Sequence, residues 1–145
     1  MAELEFWHHH GGVSVPDLDE AIAWYDAMLG FKLERRAPIA SVPCEMAMLR
    51  NGDLRMELFE VPGAKPSTED RTYPDKDLYS YGNKHVSFAI DDVDPFAEEL
   101  KRRGADIVWV KKFPNGNANI FMRDKFGNLI EFVQGPRPDG VFSVL

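Results

Sequence analysis

Two histidines and two glutamates stand at matching places in two similar stretches of this chain, and together they could do chemistry. His10 opens the run His10-Gly-Gly-Val-Ser-Val-Pro-Asp17, and His85 opens His85-Val-Ser-Phe-Ala-Ile-Asp-Asp92, an offset of 75 residues. Glu57 in Gly52-Asp-Leu-Arg-Met-Glu-Leu-Phe59 and Glu131 in Gly127-Asn-Leu-Ile-Glu-Phe-Val133 follow at an offset of 74. An ionised carboxylate flanked by Met56, Leu58 and Phe59, or by Ile130 and Phe132, is costly to bury unless a cation compensates it. If two halves pack about a pseudo-twofold axis, His10, Glu57, His85 and Glu131 can converge on a divalent metal. Zn, Ni, Co and Mn tolerate such a set of two nitrogens and two oxygens. Singly, each residue has an ordinary structural explanation as a half-exposed strand histidine or a glutamate on a solvated face. Their recurrence at equivalent positions favours the metal.

These residues must be positioned by an internal repeat. In the first half Leu18, Ala21, Ile22, Tyr25, Met28 and Leu29 recur at helical spacing, with Asp17 as N-cap, Glu20 three residues on and Gly30 as the stop. In the second half Val93, Phe96, Ala97 and Leu100 make the same stripe, Asp94-Pro95 supplies a cap and first-turn proline, and Gly104 ends the helix. Strands are expected near 8–15, 31–39, 44–50 and 54–61, with an Asn51-Gly52 turn, and again near 84–90, 106–112, 118–123 and 129–133. Each half thus reads β-α-β-β-β, an α+β arrangement of two modules at about 8–61 and 84–134. A polar linker, 62–83, joins them, and a Gly/Pro-rich tail, 135–145, ends in apolar residues expected to pack on something.

Strand alternation assigns faces. Val13 and Val15 suit a helix-packed side and send His10, Gly12 and Ser14 to the other. Val86, Phe88 and Ile90 do the same for His85, Ser87 and Ala89. Around Glu57 and Glu131 both sides are apolar, so alternation alone leaves their face open. His8 shares the His10 face by parity and reads as a frayed strand end; His9 is expected to face away. Asp17 reads as a cap, and Cys44 as packing, since no histidine is nearby in sequence to activate it. Phe59 and Phe121 are the aromatics best placed for a pocket. Arg35, Arg36, Lys111, Lys112 and Arg123 are candidate carboxylate or phosphate anchors, with a solvated surface role as the default for each.

The 145 residues are about one domain's worth, and 44% hydrophobic with 12% aromatic is a folding composition. With 17 basic and 24 acidic residues the formal charge is −7, which removes the electrostatic drive toward nucleic acid or anionic membrane and leaves a small-molecule partner. One cysteine, no long apolar span and an acidic beginning read as a cytoplasmic protein.

The residues resemble the vicinal oxygen chelate superfamily, the glyoxalase / bleomycin-resistance / extradiol-dioxygenase group. The resemblance rests on His10-Gly-Gly-Val-Ser-Val-Pro-Asp-Leu, Ala23-Trp24-Tyr25, Leu29-Gly30-Phe31, Lys84-His85-Val-Ser-Phe-Ala-Ile-Asp and Phe121-Met-Arg-Asp-Lys-Phe-Gly-Asn-Leu-Ile-Glu131-Phe, and covers about 8–134. It implies a glyoxalase-like fold, two βαβββ modules forming a cupped mixed sheet around a metal held by His10, Glu57, His85 and Glu131. It further implies a homodimer and a lyase, isomerase or epimerase that abstracts a proton beside a carbonyl, with a metal-stabilised enediolate. Glu57 and Glu131 are the candidate bases, with a slight preference for Glu131, and Phe59, Phe121 and Arg123 line the substrate pocket. The segment Lys111-Lys112-Phe113-Pro-Asn-Gly-Asn lacks the glycine-threonine stretch usual in glyoxalase I, which puts glutathione recognition in question. The alternatives are an Fe(II) ring-cleaving dioxygenase, which would need a further histidine, and a non-catalytic small-molecule binder.

Overall fold

A computed structural model of the chain describes residues 2–135. The apolar tail of residues 136–145 lies outside the described residues. The chain divides into two compact units, Met1–Lys65 and Pro66–Leu145. The division falls inside the expected linker, and most of that linker belongs to the second unit.

In the first unit, β1 (Gly11–Ser14), α1 (Leu18–Leu29), β2 (Lys32–Ile39), β3 (Cys44–Asn51) and β4 (Leu54–Glu60) form a sheet of order β1-β4-β3-β2 with one helix. β1 runs parallel to β4 and the other pairs are antiparallel. The second unit begins with a short helix, α2 (Pro74–Asp77). It then repeats the plan with β5 (Val86–Ile90), α3 (Val93–Arg102), β6 (Asp106–Lys112), β7 (Ala118–Arg123) and β8 (Leu129–Gln134), in order β5-β8-β7-β6. The expected β-α-β-β-β order therefore occurs twice, once per unit.

Each helix buries the stripe its spacing predicts: Leu18, Ala21, Tyr25 and Met28 from α1, and Val93, Ala97 and Leu100 from α3. They share their core with Ala47, Leu49, Met56 and Leu58 in one unit and with Ile120, Met122, Ile130 and Phe132 in the other. Burying each of the Val, Leu, Ile, Met or Phe side chains among them contributes about 1.5–3 kcal/mol.

Three local expectations are corrected. The cap of α3 is Asp92, whose carboxylate accepts from the Asp94 N–H, because Asp92 keeps extended backbone while Asp94 is already helical. The β3–β4 hairpin turns on Gly52-Asp53, since Asn51 pairs with Leu54. The first strand begins at Gly11 instead of near residue 8, so the three histidines precede it.

The repeat also carries a capping device that the sequence reading missed. The Leu18 N–H, first in α1, donates to Glu60 Oε1 at 2.9 Å, and the Val93 N–H, first in α3, donates to Gln134 Oε1 at 2.9 Å. The last residue of each unit's final strand thus satisfies an orphan donor of its helix. Glu60→Ala is expected to destabilise the protein by about 1 kcal/mol, measured as a lowered urea midpoint with unchanged slope. An unchanged midpoint would show the bond to be idle.

Candidate functional site

The His–Glu pairs occupy the same place in both units. His10 lies one residue before β1 and Glu57 sits in β4 opposite Gly12. His10 Nε2 is 2.9 Å from Glu57 Oε2. His85 lies one residue before β5 and Glu131 sits in β8 opposite Ser87. His85 Nε2 is 4.0 Å from Glu131 Oε1.

The face left open by alternation is now assigned. Met56 and Leu58 are buried on the helix side, as are Ile130 and Phe132, so each glutamate points to the histidine face and stays partly exposed. Imidazole nitrogen beside carboxylate oxygen, with both side chains reachable from solvent, is a donor set that suits a borderline divalent cation. Among the described residues no group of three or more His, Cys, Asp or Glu side chains is placed to hold a metal ion, so each unit presents two candidate ligands and not a complete cage.

His9 departs from its expected orientation. Its Nδ1 lies 2.7 Å from His10 Nδ1, and the rings meet edge to face. Strand parity does not govern it because residues 8–10 are outside β1. One of these two nitrogens carries a proton and the other accepts it, which aims His10 Nε2 toward Glu57.

Phe59 and Phe121 each border the His–Glu pair of their own unit. A Cβ built at Gly12 would stand 3.1 Å from Phe59 Cε2, so the ring occupies the space beside Glu57 that a side chain at residue 12 would need. Phe121 meets His85 edge-on at 4.8 Å between ring centres, then Trp109 at 5.2 Å, and Trp109 meets Tyr73 at 5.7 Å. Tyr73 brings the expected linker onto this face of the second unit.

Arg123 shares the face but not the expected freedom to bind an anion. Its Nε donates to the Thr72 carbonyl at 2.6 Å and its Nη1 lies 3.3 Å from Asp106. It pins the strap of residues 66–83 to the sheet. Of the other candidate anchors, Arg36 bridges Asp19 and Glu45, Lys112 pairs with Asp94, and Lys111 lies over the Trp109 ring.

Beside Glu131 a groove of about 620 Å³ opens between Phe113, Asn117, Asn119 and Val133. Among the described residues lining it Glu131 is the single ionisable one, and the other walls are amide and apolar. Asn119 Nδ2 donates to Glu131 Oε2 at 3.2 Å, and Ser87 Oγ donates to Oε1 at 2.7 Å. Neither Ser87 nor Asn119 stood out in the sequence; Ser87 could have been found by its position two residues after His85.

Two α+β units of one topology, each with a histidine and a glutamate at matching positions, define a class of internally duplicated folds. The family model described as the Glyoxalase/Bleomycin resistance protein/Dioxygenase superfamily matches residues 7–132, and the chain belongs to that superfamily.

Human mitochondrial methylmalonyl-CoA epimerase is 25% identical over 130 residues, covering 87% of this chain and 72% of that protein. An uncharacterised Pseudomonas aeruginosa protein is 27% identical over 132 residues, covering 87% and 86%. A solved Frankia domain titled glyoxylase/bleomycin resistance protein/dioxygenase superposes with TM-score 0.70 at 24% identity, covering 92% of this chain and 94% of that one. The trypanothione-dependent glyoxalase I of Leishmania major superposes with TM-score 0.66 at 22% identity, covering 90% and 87%. The superfamily includes enzymes and commonly binds divalent metals. Among the described residues no helix is long and apolar enough to cross a membrane.

Proposed function

We propose that this protein is a divalent-metal-dependent lyase, isomerase or epimerase that removes a proton beside a carbonyl of a small-molecule substrate. The observation that carries the reading is the equivalence of the His10–Glu57 and His85–Glu131 pairs, each on the open face of its unit's sheet. His10, Glu57, His85 and Glu131 would hold the metal, with Zn, Ni, Co or Mn suited to the donors. When bound, the metal supplies Lewis-acid stabilisation of the charge that develops on two neighbouring substrate oxygens.

The chain's own groups do the rest. Glu131 takes the proton as general base and returns it, to the same or the neighbouring carbon. Ser87 and Asn119 keep its carboxylate turned toward the groove. The neutral groove beside Glu131 suits an uncharged, hydrogen-bonding part of the substrate, and Phe59 and Phe121 supply apolar walls near the two pairs.

The human epimerase relative supports an acyl substrate acidified by its carbonyl, and the buried free thiol of Cys44 fits a reducing, cytoplasmic setting. Exposed Leu4, Phe6 and Trp7 offer apolar surface for a second copy, consistent with a homodimer.

The test is solvent exchange. Metal-loaded protein with methylmalonyl-CoA in D2O is expected to place deuterium beside the carbonyl, and metal removal by a chelator is expected to stop it. Oxygen uptake on a catechol with Fe(II), with no exchange on any carbonyl substrate, would replace this reading by ring cleavage.

A further inference from the structure

The two repeats differ in what surrounds their glutamates. Opposite Glu131 stands Ser87, whose hydroxyl donates to Oε1. Asn119 lies in β7 opposite Val133 and donates to Oε2. Trp109, opposite Phe121 in β6, donates its Nε1–H to Asn119 Oδ1 at 3.1 Å.

An indole N–H only donates and a carboxylate only accepts, so an amide between them has one orientation that satisfies both. Trp109 therefore turns the Asn119 amide so that its NH2 faces Glu131. The carboxylate is left with one bond on each oxygen and its direction fixed.

Register places Gly12, Met46 and Arg35 at the corresponding positions of the first repeat. Gly12 has no hydroxyl, and Phe59 presses on the space where one would stand. Met46 has no N–H. The described residues give Glu57 one polar partner, His10.

We propose that Ser87, Asn119 and Trp109 are positioning residues that hold Glu131 aimed whether or not it is bonded to the metal. The two glutamates are then not equivalent. Glu131 would keep its direction from Ser87 and Asn119 while it carries a proton, whereas Glu57 has His10 alone to orient it. This rests on the proposed metal site.

Co2+ titration of the whole protein tests it, reading affinity and the visible absorption of the bound ion, with apo-protein thermal unfolding as the folding control. Ser87→Ala and Asn119→Ala are expected to weaken Co2+ binding about 10- to 100-fold and to change the spectrum. Trp109→Phe, which keeps the ring against Phe121, should shift both in the same direction. Ser87→Thr should restore the wild-type values because it returns the hydroxyl. Met46→Leu, at the position matching Asn119, should leave affinity and spectrum unchanged.

Wild-type affinity within twofold in both Ser87→Ala and Asn119→Ala, with an unchanged spectrum, overturns the positioning role and leaves the metal reading standing. A wild-type protein that takes up no Co2+ overturns both.

Discussion

Replacing Glu131 by glutamine is expected to lower carbonyl-adjacent proton exchange about 10²- to 10⁴-fold, the usual contribution of a positioned general base. The substitution is close to isosteric, and its surroundings can accept it. The glutamine oxygen can turn to receive the Asn119 N–H, and its NH2 can then donate to the Ser87 hydroxyl, which reverses from donor to acceptor. Little stability should therefore be lost, and the neutral oxygen still offers the metal a weak ligand.

What disappears is a site for the proton. Glu57→Gln is expected to lower metal affinity along with activity, because Glu57 has His10 alone to orient it. The measurement is deuterium incorporation into methylmalonyl-CoA at saturating metal, with bound metal quantified for each variant. Exchange within threefold of wild type in a metal-retaining Glu131→Gln protein would remove Glu131 from the role of base.

The His–Glu pairs were legible because a strand's side chains alternate with a fixed period of two and the repeat offset supplied a second copy of each strand. Val13 and Val86 declared the helix side and so put Gly12 and Ser87, which pair with Glu57 and Glu131, on the other face; His10 and His85 stand one residue before their strands and reach the glutamates from there. Glu57 and Glu131 needed the burial of Met56, Leu58, Ile130 and Phe132 to assign their face, since each is flanked by apolar residues on both sides of the strand.

His9 was misplaced for a different reason: parity holds only inside a strand, and β1 starts at Gly11. The partners of Glu131 depend on the register of β8 against β5 and β7, which local pattern does not encode. The cap on Val93 comes from Gln134, 41 residues away, so no window around the helix could reveal it. The strap was harder still. Its prolines and polar residues read as a connector, while its attachment depends on Thr72 and Tyr73 meeting Arg123 and Trp109 across long sequence separations.

That strap holds the second large expected effect. Asp77 ends α2 with its side chain only 2% exposed, and it lies between Arg71 Nε at 2.8 Å and Lys84 Nζ at 3.5 Å. Burial alone would raise its pKa. The hydrogen bond and charge of Arg71, with the charge and hydrogen bond of Lys84, outweigh that and hold it below the ordinary aspartate value.

Removing one member of a buried ionic cluster costs about 3–5 kcal/mol when the others are left stranded. Here Arg71 keeps the Asn83 carbonyl, and Lys84 keeps the carbonyls of Ser80 and of residue 77 itself. Asp77→Ala is therefore expected to cost somewhat less, about 2–3 kcal/mol.

The sign with pH follows from the depressed pKa. Above the unfolded aspartate value near 3.8 the carboxylate is charged in both states and its contribution is complete. As pH falls through the still lower folded value the contribution is lost. Urea midpoints of wild type and Asp77→Ala should thus differ at pH 7 and converge as the solution is acidified below that range. A gap that persists undiminished in strong acid would assign the loss to packing of the strap and not to the ion cluster. Because Lys84 immediately precedes His85, the same substitution is expected to loosen the entry to β5 and weaken metal binding, whereas Glu60→Ala in the other unit, whose carboxylate accepts from the first N–H of α1, should leave metal affinity unchanged.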